Sequence, residues 1–353
     1  MRKESLQFLK DLIAAPSPSG FEQPAQRVVR ARMEQYADEI ITDVHGNVRC
    51  VKNPDHPLRV MLAGHVDQIG FIVRYINDEG YLYFAPIGGI DPSIVVGTRV
   101  TIHSKNGPVP GVIGRTAIHL LKPEERGKQI DMEKLFIDIG AKDREAAEKL
   151  VAVADPITFA VEFQELDGDI CAAAGFDDKM GTFVVMEALR LLAERKIDCS
   201  VHAVATVQEE IGLRGAQTSC YCIDPAVGIA VDVTHASDYP GCDKTKQGDV
   251  KLGGGPVIAR GPNINPVLGE MLQRVAEDKK IPHHVEAAAR GTGTDANVMQ
   301  LSRRGVATAL VSVPNRYMHT AVEVLSLSDL ENTAKLVAET IAKINEDLDF
   351  TPM

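Results

Sequence analysis

The chain has 353 residues, 44% of them apolar and 25% charged, the balance of a globular protein large enough for two domains rather than of a disordered one. Lys and Arg number 38 against 49 Asp and Glu, a formal charge of −11. With no run of Lys or Arg to offset that charge, a nucleic-acid backbone is excluded as the main partner.

In chain order, the first segment is amphipathic: Leu6, Leu9, Leu12 and Ile13 are interrupted by Gln7, Lys10 and Asp11, the pattern of a surface helix and not of a secretion signal. No stretch approaches the roughly 20 apolar residues of a membrane span. A second helix is expected to open at Ser19-Gly20-Phe21-Glu22, where Ser19 and Glu22 have capping-box spacing. Strands are expected over 40–44 and 48–51, joined at His45-Gly46-Asn47, and the apolar run Val60-Met61-Leu62-Ala63 reads as a buried strand.

From Phe71 to about Phe163 short strand-like segments alternate with turn signals such as Asn77-Asp78-Glu79-Gly80, with one helix-like stretch over 142–153. This reads as a separate, mostly β insert over 71–163 within an α/β domain built from 1–70 and 164–353. The α/β rhythm then returns with a helix over 181–192, strands over 200–207, 227–233 and 306–313, and an amphipathic helix over 266–277. The last helix opens with a second capping-box spacing, Ser328 and Glu331.

The six cysteines (Cys50, Cys171, Cys199, Cys220, Cys222, Cys242) include no C-x-x-C pair and read as ordinary buried thiols, which with the missing signal points to a cytoplasmic protein. Cys220 and Cys222 would share a face on a strand. Gly253-Gly254-Gly255 lacks the Gly-Lys-Ser/Thr of a phosphate loop.

Acidic residues and histidines fall immediately after the strands. Val60–Ala63 leads into His65 and Asp67, Ser200–Val207 into Glu209 and Glu210, Val227–Val231 into Asp232, and Val306–Val313 within six residues to His319. Asp177 and Asp178 precede the helix at Gly181. The carboxyl ends of strands form the ligand crevice of an open α/β sheet, so these side chains can converge there. Two imidazoles with several carboxylates suit Zn²⁺, Co²⁺ or Mn²⁺. A single carboxylate after a strand is more often a helix cap or turn residue, and Asp177 or Asp178, as well as Asp295, fit that description. Adjacent Glu209 and Glu210 fit it less well, because their like charges ask for a cation between them and other ligands.

Five ordered motifs carry a resemblance: Gly64-His65-Val66-Asp67-Gln68-Ile69-Gly70, Phe176-Asp177-Asp178-Lys179-Met180-Gly181, Thr206-Val207-Gln208-Glu209-Glu210-Ile211-Gly212, Val231-Asp232-Val233-Thr234 and Arg316-Tyr317-Met318-His319-Thr320. Together they resemble the M42 family of metalloaminopeptidases, which includes tetrahedral and glutamyl aminopeptidases and proteins described as endoglucanases. The likeness runs from Ser17 to the final helix. It departs at Gln68, where Glu is common, and at Lys179, where Arg is common.

The resemblance implies a mixed-sheet metallopeptidase domain interrupted by a PDZ-like dimerisation domain, and through it a homo-oligomer, a dodecamer built from dimers. It implies two divalent ions, zinc, cobalt or manganese. Asp177 would bridge them, His65 and Asp232 would hold one, and Glu210 and His319 the other. Glu209 would be the general base, Asp67 would orient His65, and Asp178 would be a neighbour. The implied substrates are short peptides with a free N-terminus, with Arg260, Arg290, Arg316 and Tyr239 as candidates to meet the side chain being removed. The rival readings are a deacylase or glycosidase on the same site, and a catalytically silent assembly protein.

Overall fold

The structure is a computed structural model that describes residues 1–352, residue 125 by its backbone alone. Its centre is an eight-stranded mixed sheet. Four parallel neighbours form the middle, in the order Ser200–Thr206, Arg59–His65, Val227–His235 and Ala307–Asn315. The antiparallel hairpin Glu39–Thr42 and Val48–Lys52 extends one side, and the pair Val257–Arg260 and His284–Ala287 extends the other.

The middle strands are apolar along almost their whole length because helices cover the sheet. Phe176–Leu192 is the central helix, packing on Arg59–His65, Ser200–Thr206 and Val227–His235 and flanked by Lys3–Ala14 and Leu327–Ile341. Its side chains are buried from Phe176 to Leu189, so truncating one such as Phe183 should cost about 3–5 kcal/mol. The expected start of this helix at Gly181 is nearly right. Regular geometry begins only after Asp177 and Asp178, whose dihedrals are non-helical and whose shared peptide bond is cis.

Between His65 and Phe163 the chain leaves the sheet and forms a closed six-stranded barrel from Gly70–Ile76, Leu82–Ile87, Arg99–Ser104, Gly107–Gly114, Phe136–Asp138 and Pro156–Phe159. The barrel has a core of its own, centred on Phe71, which meets Phe84 and Phe159 edge-on at centroid distances of 5.0 and 5.3 Å. The helix expected over 142–153 is only Arg144–Glu148. Leu150 and Val153 are exposed and give no further turn an apolar face to bury, and Asp155 Oδ2 accepts the Ala152 N–H instead.

Both capping-box readings are corrected. Ser19 donates to Asp67 Oδ2 at 2.7 Å, Glu22 accepts from the Gly20 N–H, and the helix is Gln23–Met33. The final helix, Leu327–Ile341, has its start held by a distant residue: Asp169 Oδ2 accepts from Ser326 Oγ at 2.7 Å and from the Ser328 N–H at 3.0 Å. Glu331 pairs with the terminal amine of Met1. In both places a tertiary partner outcompetes the local one.

The six cysteines are free thiols. Cys220 and Cys222 lie on the helix Arg214–Ile223 and not on a strand, so one is buried and the other exposed. The Gly253-Gly254-Gly255 turn offers the Gly253 and Gly255 N–H groups to the buried Asp329 carboxylate, at 2.8 and 2.7 Å. Among the described residues no helix is long and apolar enough to cross a membrane.

Candidate metal centre

The parallel strands aim the acidic and imidazole groups at one end of the sheet. His65 closes its strand, and Asp232 lies in the adjacent one. Glu209 and Glu210 follow Thr206 after Gln208, whose φ of +56° turns the chain. His319 follows the Ala307–Asn315 strand, again with positive φ. The central helix is pressed against this end: a Cβ on Gly64 would lie 2.3 Å from the Gly181 carbonyl carbon. Only glycine at 64 lets strand and helix backbones meet so closely and bring Asp177 beside His65.

Asp177 faces both imidazoles. Its Oδ1 lies 3.2 Å from His65 Nε2 and its Oδ2 lies 3.3 Å from His319 Nε2. Glu209 Oε2 is 3.7 Å from His65 Nε2, and Glu210 Oε2 is 3.6 Å from His319 Nε2. Ligand atoms of His65, Asp177 and Glu210 lie within 4.8 Å of one another, as do those of His65, Asp178 and Asp232. Every residue of the expected set is thus brought to one place. Asp178 is also close, but both its oxygens are engaged, Oδ2 by the His65 N–H and Oδ1 by the Gly181 N–H.

Asp67 is completely buried and does more than orient His65. The His65 Nδ1 contact is made chiefly by the Asp67 backbone carbonyl, at 3.0 Å, with Oδ1 at 3.4 Å. The carboxylate itself accepts the N–H groups of Glu209 and Glu210 and the hydroxyl of Ser19. It therefore holds the paired glutamates in register with His65.

Electrostatics show that the site is short of positive charge. Burial raises Glu209 to about 10 and Glu210 to about 8, with Asp232 and Asp177 respectively adding to the rise. Burial also pushes Asp232 and Asp178 well above the carboxylate range. For Asp177 burial works in the same direction, but the hydrogen bonds to His319 and His65 overcome it and hold the carboxyl low. Burial opposes charge on His65, yet Glu209, Asp177 and Asp67 keep its value high; the Asp177 contact raises His319 to about 9. Two buried oxygens, Glu210 Oε1 and Asp295 Oδ1, have no hydrogen-bond partner. Crowded, desolvated carboxylates with an unpartnered oxygen beside two imidazoles, and no thiol in the set, fit hard-to-borderline divalent cations.

Several residues of the centre were not legible in the sequence. Glu323, in the apolar run Ala321–Leu325, is buried and accepts the Asp177 N–H at 3.0 Å and the His319 N–H at 3.1 Å, so one carboxylate clamps the backbones of two candidate ligands. A charge within an apolar run, four residues after His319, was the available signal. Asp295, read as a helix cap, makes no cap bond; its Oδ2 accepts the Thr206 hydroxyl at 2.6 Å. The third is Gly89 of the barrel, whose carbonyl accepts from His319 Nδ1 at 2.7 Å. Of the residues offered for side-chain recognition, Arg316 is held by a two-point pair to Asp238 at 2.8 and 2.7 Å, and Arg260 bonds Gln273. Tyr239 packs edge-on to Tyr317 at 5.4 Å.

Comparison with known proteins points to one family. The model of the M42 glutamyl aminopeptidase family matches residues 46–336. A lysyl aminopeptidase of Pyrococcus furiosus is 40% identical over 98% of this chain and 99% of its own length. The crystal structure of a TET aminopeptidase from a marine sediment Thaumarchaeota archaeon superposes with a TM-score of 0.94 at 36% identity, covering 98% of this chain and 97% of that one. The TET1 peptidase of Pyrococcus horikoshii, which can assemble into a tetrahedron or a large octahedral shell, gives a TM-score of 0.86 at 31% identity, over 96% of this chain and 100% of that one.

Proposed function

The chain belongs to the M42 glutamyl aminopeptidase family and is a metal-dependent aminopeptidase; from that premise we propose how its residues divide the work. Asp177 together with His65 and Asp232 would hold one divalent ion, and Asp177 together with Glu210 and His319 would hold a second. The observation that carries this reading is the position of Asp177, with one oxygen 3.2 Å from His65 Nε2 and the other 3.3 Å from His319 Nε2. Zinc, cobalt and manganese all suit this donor set.

When bound, such ions bring the pKa of a water down to roughly 7 and polarise the scissile carbonyl. Glu209 is the general base. Its Oε2 takes a proton from the attacking water and delivers it to the leaving amine, a contribution of about 10²–10⁴-fold. Asp67 holds the Glu209 backbone while its own carbonyl fixes the His65 ring. The surplus of carboxylates favours a substrate ammonium group, which accounts for action at a free N-terminus. Arg316 is already neutralised by Asp238 and offers little to an acidic side chain.

The two structural units divide as 1–70 with 164–353 for catalysis and 71–163 for dimerisation, and the dimers build a dodecamer. Support comes from the assembly of the Pyrococcus horikoshii relative and from the exposed Ile118 and Leu120 beside the barrel. The free thiols agree with a reducing, cytoplasmic setting.

The test is hydrolysis of one short peptide in free and N-acetylated forms, with metal and with chelator. Cleavage of the free form alone, abolished by chelator, is expected. Equal cleavage of both forms would replace the aminopeptidase reading with an acylase or endopeptidase one, and a monomer on gel filtration would remove the assembly.

A further inference from the structure

The two imidazoles of the centre are oriented by different parts of the chain. His65 is served by the Asp67 carbonyl two residues on. His319 is served by the barrel: the carbonyl of Gly89, 230 residues away, accepts from Nδ1 at 2.7 Å. A carbonyl can only accept, so Nδ1 carries the proton and the Nε2 lone pair of the neutral ring is free. Nε2 is the atom 3.3 Å from Asp177 and 3.6 Å from Glu210.

Gly88 is set against the second member of the same pair. Its φ is +76°, and a Cβ there would lie 2.8 Å from Ile69 Cγ2, 3.0 Å from Glu210 Oε2 and 3.4 Å from Glu210 Cβ. A side chain at 88 would strain the backbone and displace the Glu210 carboxylate. The turn after the barrel strand Leu82–Ile87 thus touches Glu210 and His319, while His65 and Asp232 belong to the sheet.

We propose that the Gly88-Gly89 turn is a positioning element of the metal centre, selecting the His319 tautomer and walling Glu210, so that the ion these two residues hold depends on the barrel while the ion at His65 and Asp232 does not. This rests on the two-ion reading above. It makes the barrel part of the active site as well as a separate unit, and ties retention of one ion to whatever holds the barrel in place.

The test is calorimetric titration of the metal-free full-length protein with Co²⁺. The parent should show two binding events, and His319→Ala identifies the one that His319 serves. Gly88→Ala is expected to weaken that event by about tenfold or more and leave the other within about threefold. Gly89→Ala, at a position without positive φ, places a methyl 3.4 Å from His319 Nδ1, at the limit of ordinary contact, and should weaken the same event by a smaller factor of about threefold. Gly107→Ala is the control, with φ of +116° in the same barrel and no atom near its Cβ; both events should stay as in the parent. Should Gly88→Ala fail to fold, Gly89→Ala carries the test. Parallel weakening of both events, or no weakening of either, would overturn the proposal. A parent that takes up fewer than two ions would instead sink the two-ion reading.

Discussion

The buried amine of Lys179 donates to the side-chain carbonyl of Gln68, so the two positions read from the sequence as departures from the family motifs are in contact with each other. The same amine reaches the backbone carbonyl of Ala15 at 2.7 Å and that of Ile13 at 3.4 Å, tying the central helix to the exit of the first one. Burial pulls Lys179 down to about 7, against the attraction of Glu323. These contacts therefore lock the central helix to the first helix and to the segment after His65.

Replacing Lys179 by Met removes the donor to the Ala15 carbonyl and leaves Gln68 Oε1 only the long 3.5 Å contact from Ser17 Oγ. A loss of about 3 kcal/mol in denaturant unfolding is expected. The double variant Gln68→Leu/Lys179→Met should be less destabilised than the sum of the single ones, because the bond loses both partners. Strict additivity would show that the contact is energetically idle.

Glu209→Gln should abolish turnover while leaving metal content near that of the parent. The amide keeps the size of the side chain and the backbone bond to Asp67, but it cannot accept the proton. Steady-state rates read alongside elemental analysis settle the point, and an active variant would take the base role from Glu209.

Glu323→Gln exchanges one of two acceptor oxygens for an amide nitrogen, so either the Asp177 or the His319 N–H loses its partner. Metal affinity is expected to fall about 10–100-fold and turnover with it. Unchanged affinity would reduce Glu323 to a buried residue with no part in holding the ligands.

Metal uptake should release protons. In the metal-free protein burial raises Glu209 to about 10 and Glu210 to about 8, so both carry protons at neutral pH. A cation must displace the protons of the ligands Glu210, His65 and His319, and its charge favours ionised Glu209, so affinity should rise with pH from 6 to 8. Calorimetry in two buffers of different ionisation enthalpy measures the release. Identical heats would show that the carboxylates are already ionised before the cation arrives.

Far from the site, burial lowers His202 to about 4, with Arg49 and Arg59 adding to the fall. The unfolded chain binds this proton more readily than the folded one, so the contribution is full above about 6.5 and is lost as pH falls from 6.5 towards 4. The shift corresponds to an effect on the order of 3 kcal/mol. His202→Gln should flatten the pH dependence of unfolding relative to the parent over that interval, and two parallel curves would contradict the assignment.

Local patterning was enough to recover much of this protein. Apolar runs such as Val60–Ala63 specify buried parallel strands, alternation between Phe71 and Phe159 specifies a β unit, and a carboxylate or imidazole directly after a parallel strand lies at the ligand end whichever way the loops run. The motifs around His65, Asp177, Glu209, Asp232 and His319 carried the family. What the chain order concealed was every contact set by a distant partner. Ser19 and Ser328 have the spacing of caps, but Asp67 and Asp169 reach them through space. Glu323 reads as an oddity in an apolar strand until Asp177 and His319 turn their N–H groups towards it. Gly89 carries no side chain to notice, and its role lies in a backbone carbonyl that only the closed barrel places against His319. Periodicity and residue type are properties of neighbours along the chain and determine strands, helices and the chemistry available. A buried hydrogen bond depends on which group is within about 3 Å after the chain has folded, and only the tertiary structure decides that.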